Sequence, residues 1–171
     1  ITSPDNAVKG VVNGDFDFAA VVNPAPDDKL TFHWSGEFPL GCIAAPNHPV
    51  AGSDGIELHE LVSNPVVFQS RALSIRRLLE ARHGWIFEKA ESAVVVNSIQ
   101  LMKHLVVSGR YLAVTSELDA GPEIRSGQVC FIPITDPFIF RQRFAVISNA
   151  QMPESITNQK IISHTVETLR S

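Results

Sequence analysis

The sequence is short of the features that mark several protein classes. Two cysteines, Cys42 and Cys130, stand 88 positions apart (130 − 42) in 171 residues. That spacing gives neither a disulfide framework nor a zinc pattern, and a reducing cytoplasm is the expected setting. The six histidines show no metal-ligand spacing either. No apolar run approaches the ~20 residues of a membrane span, and nothing at the start reads as a signal peptide, although the pattern is already under way at Ile1. Basic residues are scattered: 14 Lys and Arg against 18 Asp and Glu leave a formal net charge of −4. Gripping nucleic acid needs a clustered basic face, so this segment is not expected to bind it unaided. There is no internal repeat and no low-complexity tract. What is present, 44% hydrophobic residues, is enough for a folded core in one domain or two small lobes.

The organising stretch is Leu40 to Ala51. Leu40 to Ala45 carry no polar side chain, which suits a strand covered on both faces. Pro46, Asn47 and Pro49 then impose a turn. We read this run as a first crossing between two lobes, and Val129 to Ile134, again interrupted by a proline, as the return. The lobes are accordingly expected at 1–42 with 133–171, and at 43–132.

Before the crossing, Ser3-Pro4-Asp5 has the chemistry of a helix start, and Gly14 closes that helix. A strand follows over Ala19 to Val22, then a Pro-rich loop. Leu30 to Phe38 places Phe32, Trp34 and Phe38 on one parity, as a half-buried strand does. Beyond Ala51, strands at Pro65–Gln69, Ser92–Val96 and Tyr111–Thr115 alternate with helices on Ile75–Leu79 and Ile99–Val106 and a broken helical stretch reaching Gly127. That alternation implies parallel pairing through crossovers. A strand at Arg143–Ser148 and a helix at Glu154–Leu169 close the first lobe.

Three times in the second lobe a strand ends, and a helix begins, on small polar residues: Gln69-Ser70, Asn97-Ser98 and Thr115-Ser116. In an open parallel sheet such ends face one side, so three helix N-termini can surround one crevice. Free N–H groups and the helix dipole suit a carboxylate there, with Ser70, Asn97, Ser98 and Thr115 adding hydroxyl and amide contacts. Arg71 stands where it can pair an acidic ligand. From the first lobe, Thr2, Ser3 and the Val22-Asn23 loop are expected at the same cleft. Each serine or asparagine taken alone is explained by helix capping; their recurrence in register points to a ligand.

Four separated motifs carry a resemblance that covers nearly the whole chain. Asn47-His48-Pro49-Val50-Ala51 resembles the His-Pro-Leu-Ala step of the effector-binding domain of LysR-type transcriptional regulators. Gly14-Asp15-Phe16-Asp17-Phe18-Ala19 is similar to the step that ends the family's second helix. The segment from Asn97-Ser98 to Gly109 looks like its glycine-containing helix end, and Glu123 to Val129 like its Glu-hydrophobic-x-x-Gly step. Tyr111 and Ser116 depart from the pattern, standing where the family usually has glycine and proline. The resemblance implies an α/β, two-lobed, type II periplasmic-binding-protein-like fold whose first lobe lacks its opening strand and helix. It also implies a small, anionic effector held on Thr2, Ser3, Ser70, Asn97, Ser98 and Thr115. Self-association as dimer or tetramer is implied as well, along with DNA contact through an upstream helix-turn-helix absent here.

No cofactor and no metal are expected, and no enzymatic step. An enzyme built on Cys42 fares worst, because no serine or cysteine has a histidine and carboxylate in a recognisable arrangement, and a buried cysteine is mostly an apolar filler. A solute receptor of a transport system on the same fold is the alternative.

Overall fold

The structure, a computed structural model, describes residues 3–137 and 141–170, with the side chain of residue 170 left out. Its contacts divide the chain into two compact units, one of Ile1–Glu37 with Gln142–Ser171, the other of Phe38–Arg141.

Unit 1 starts as its sequence dictates. In α1 (Pro4–Asn13) the Ser3 hydroxyl accepts from Asn6 N–H at 3.3 Å, and Gly14 ends the helix at φ 80°. That left-handed conformation costs a glycine nothing. β1 (Phe18–Val22) runs antiparallel to β7 (Arg141–Asn149), from Phe18 opposite Ser148 to Val22 opposite Phe144. The other neighbour of β7 is β2 (Leu30–Ala44). Alternation along β7 sends Ala145 and Ile147 into a cluster with Ala7 and Val11 of α1, and Val146 into one with Ile162 and Val166 of α7 (Ile156–Arg170). The sheet is thus covered on both faces. Phe32 joins the α1 side, but Trp34 packs on the α7 side, edge-on to Phe144. The single parity expected for those aromatics therefore fails, because the intervening His33 also turns to the α7 side to meet Ser148.

Unit 2 is built on the second half of β2, whose residues Leu40 to Ala44 are all buried, as is Ala45 after it. The expected half-buried strand and apolar run form one continuous 15-residue strand. β6 (Cys130–Pro133) flanks it on one side, with Cys42 opposite Ile132. The expected lobe limits, after residue 42 and before residue 133, therefore fall within this ladder. β5 (Leu112–Ser116) pairs antiparallel on the other side. Within unit 2, β3 (Val66–Gln69) pairs in parallel with β4 (Ala93–Val96) and β5, giving the order β6-β2-β5-β3-β4.

Both faces of this sheet are covered. Leu40, Cys42, Val66, Phe68, Leu112 and Val114 meet α2 (Leu58–Val62), α3 (Ser74–His83) and the unanticipated single turn α4 (Ile86–Lys89). Ile43, Val67 and Ala113 meet α5 (Ile99–Val107) and α6 (Glu117–Arg125). α6 is not broken as expected. Pro122 sits inside it and the helix still runs to Arg125. After Ala45 the chain turns: Ala45 O accepts from His48 N–H and His48 O from Ala51 N–H, each at 2.9 Å. His48 is buried in that turn, and burial holds its imidazole below the usual range.

Candidate functional site

Because β3, β4 and β5 are parallel neighbours in unit 2, their C-terminal ends lie along one edge. Ser70 follows β3 and donates its N–H to Val96 O of β4 at 2.7 Å, while its Oγ is buried with no hydrogen-bond partner. It does not open a helix as expected. A turn closes from Leu73 N–H to Ser70 O at 3.0 Å, and α3 starts only at Ser74. Arg71 lies in that turn, its side chain 80% exposed, with Nε 3.0 and 3.1 Å from the two carboxylate oxygens of Glu80. Arg76 Nε reaches the same carboxylate at 2.8 Å. Hydrogen bonds from Arg76 and Arg71 hold Glu80 below the usual carboxylate range. Two arginines thus meet one glutamate at this corner, and Arg77 Nη1 donates to the Arg71 carbonyl at 3.3 Å.

At the end of β4, Asn97 is exposed and Ser98 caps α5, its hydroxyl accepting from Leu101 N–H at 3.3 Å. No acidic residue occupies the first turn of α5, so the positive end of its dipole is unneutralised. The end of β5 is different. Ser116 caps α6 by accepting from Asp119 N–H at 3.2 Å, and that helix carries Glu117 and Asp119 in its own first turn. Thr115 is 0% exposed and gives its hydroxyl proton to Asp119 Oδ2 at 3.4 Å. Of the three strand ends, then, one heads a helix free to receive an anion, one precedes a cationic corner, and one is already acidic.

Beneath the edge lies a group of charges that sequence reading missed. Lys103 of α5 is 5% exposed; its Nζ is 2.7 Å from Glu123 Oε1 of α6 and donates to Asp119 O at 3.3 Å. Burial alone would raise Glu123, but the hydrogen bond and charge of Lys103 hold its carboxyl below the ordinary range. For Asp119 burial prevails over the bonds from Ser116 and Thr115 and the charge of Lys103, and its carboxyl is raised. The signal was present in the spacing: Lys103 stands four residues after Ile99 and three before Val106, on the apolar stripe of α5.

In unit 1, Thr2 lies outside the described residues. Ser3 serves as the exposed cap of α1. Asn23 follows β1 at φ 49°, with its N–H on Arg143 O at 2.7 Å and its Oδ1 accepting from Arg143 N–H at 2.8 Å. Its Nδ2 is buried without a partner. A second unforeseen cluster joins three elements: His33 Nε2 lies 2.8 Å from Ser148 Oγ and 2.9 Å from Glu154 Oε1, and Ser148 Oγ donates to that oxygen at 2.6 Å. Ser148 is 1% exposed and its proton already belongs to Glu154, so this is a tie between β2, β7 and the approach to α7 rather than a nucleophile. Cys42 is equally inert, its thiol pushed up to about 12 by burial. Among the described residues no three His, Cys, Asp or Glu side chains converge as metal ligands.

The profile of the LysR substrate binding domain matches residues 1–170. The chain belongs to that family. As a LysR substrate binding domain it has the α/β, type II periplasmic-binding-protein-like fold and is the effector-sensing part of a transcriptional regulator. Solved structures agree on the fold. The regulatory domain of CcmR from Synechocystis PCC6803, in complex with 2-PG, superposes at TM-score 0.70 with 19% identity, over 98% of this chain and 80% of that one. The effector binding domain of QuiR in complex with shikimate gives TM-score 0.68 and 17% identity, over 94% of this chain and 76% of that one. HinK, a LysR family transcriptional regulator from Pseudomonas aeruginosa, gives 0.69 and 14% identity, over 98% of this chain but 58% of that one. No curated protein matches by sequence. Among the described residues, no helix of this LysR substrate binding domain is long and apolar enough to cross a membrane.

Proposed function

We propose that this domain holds a small anionic effector at the C-terminal edge of β3, β4 and β5, with Ser70, Asn97 and Ser98 as its contacts in unit 2. The observation that carries the proposal is the Ser70 hydroxyl. It is buried and unpartnered beside the acid-free N-terminus of α5, and a buried hydroxyl without a partner costs free energy that a ligand oxygen would recover. Thr115 supports the edge from inside, through Asp119, and Arg71 adds charge at the β3 corner.

The effector is sensed rather than converted; no cofactor or covalent step is needed. Its occupancy shifts the population of conformers in a self-associated cytoplasmic regulator whose separate helix-turn-helix holds DNA. A net charge of −4 agrees with leaving DNA to another segment.

The test is a thermal-shift screen of metabolite-sized acids, alcohols and amines, followed by calorimetry on the compounds that raise the midpoint. Ser70→Ala and Ser98→Ala are each expected to weaken binding by about 1–2 kcal/mol. Failure of every compound to move the midpoint, or affinities indifferent to both substitutions, would end the proposal.

A further inference from the structure

The edge that receives the effector is electrically lopsided, and this narrows the chemistry of what it takes. At the β3 and β4 ends the groups are donors and cations. Ser70 Oγ has no partner, and Ser98 Oγ already accepts from Leu101 N–H, so the proton of its hydroxyl is what it has left to give. Arg71, Arg76 and Arg77 stand at the adjoining corner with the two acids Glu80 and Glu88, leaving one positive charge in excess. At the β5 end the groups are acceptors. Glu117 and Asp119 occupy the first turn of α6, Thr115 has spent its proton on Asp119, and Lys103, which donates to Asp119 O, has its charge paired with Glu123. Neighbouring strands lie about 4.8 Å apart, so the two regions are separated by roughly 5–10 Å, the span of a small metabolite.

An anion lying across this edge would meet attraction at one end and like charge at the other. From this asymmetry we infer that the effector is a carboxylate that also carries a hydrogen-bond donor, a hydroxyl or an ammonium. Its acid group is directed to Ser70 and Ser98 and its donor to the α6 corner. The inference rests on the binding edge proposed above and adds the second group to the ligand.

Matched pairs decide it: shikimate against 1-cyclohexene-1-carboxylate, lactate against propionate, and alanine against propionate, each titrated calorimetrically into the chain. In at least one pair the donor-bearing member is expected to bind about tenfold tighter. Asp119→Asn should reduce that ratio toward one, weakening the donor-bearing member and, by removing like charge, favouring the donor-free acid if it changes that at all. Ser98→Gly, which keeps the helix start intact, should weaken both members of a pair equally. Equal or tighter binding of the donor-free acids, or no binding by any of the five titrants, overturns the inference. The two failures are separable. Donor-free acids that bind and lose affinity in Ser98→Gly leave the binding edge standing and remove only the second group. Binding indifferent to Ser98→Gly and Ser70→Ala removes the edge itself.

Discussion

Lys103 Nζ and Glu123 Oε1 meet at 2.7 Å between α5 and α6, with only 6% and 17% of their side chains exposed. Two charges withdrawn from water this far depend on each other. Removing one strands the other, whereas replacing both by apolar groups of similar size removes the desolvation penalty along with the attraction. Lys103→Met is therefore expected to lower unfolding free energy by about 3 kcal/mol, and adding Glu123→Leu should restore most of it. Urea unfolding of the two variants beside the parent chain checks this, and a double variant weaker than the single would contradict it.

The same cluster gives a pH dependence of two opposite signs. Glu123 is held low in the folded chain, so its contribution is present above the ordinary carboxylate value of about 4.3 and is lost as pH falls through its folded value. Asp119 is raised, so its contribution is fullest below about 3.9 and is lost as pH climbs through its folded value. The stability lost in Glu123→Gln should therefore shrink on acidification. Asp119→Asn should gain relative to the parent chain as pH rises toward neutrality. Unfolding midpoints measured across that range in both variants give the two slopes.

Much of the frame was legible because it rests on local chemistry. Ser3, Pro4 and Gly14 fix both ends of α1, and the uninterrupted apolar run from Leu40 to Ala45 identifies the strand buried on both faces. The misreadings arise where a tertiary contact overrides a local preference. Ser70 looks like a helix cap, yet its backbone is held by Val96 and the helix waits until Ser74. Pro122 looks like a break, yet α6 continues through it. At Thr115 the structure adds a contact that the sequence does not announce, its hydroxyl donating to Asp119 Oδ2. Lys103 was passed over because lysine is seldom buried, and its partner lies twenty residues away on another helix (123 − 103).

Gly41 shows a different dependence, on the absence of a side chain. The ring of Phe131 fills the space a Cβ would occupy, and Ile132 O would lie 2.8 Å from it. A backbone oxygen cannot swing aside as a side chain can, so Gly41→Ala must push β6 away from β2. The expected cost is about 1–3 kcal/mol. Phe131→Leu in the same background should recover only the part due to the ring. Full recovery would mean that the carbonyl of Ile132 does not matter.

Leu101 and Val107 are 49% and 40% exposed on α5, and β4 beside that helix pairs with no strand but β3 among the described residues. Two exposed apolar side chains on one helix, with Gln100, His104 and Ser108 exposed between them, beside an open strand edge are a poor surface to leave in water. Family membership suggests a second copy as its cover. Self-association through α5 predicts a concentration-dependent mass in sedimentation equilibrium. It also predicts that Leu101→Lys with Val107→Lys lowers the mass to that of one chain. Because neither side chain belongs to the buried core, the double variant should unfold within about 0.5 kcal/mol of the parent when both are compared as monomers. An unchanged mass in the variant would place the contact on another face, and a loss of folding would show that α5 needs these residues for its own packing.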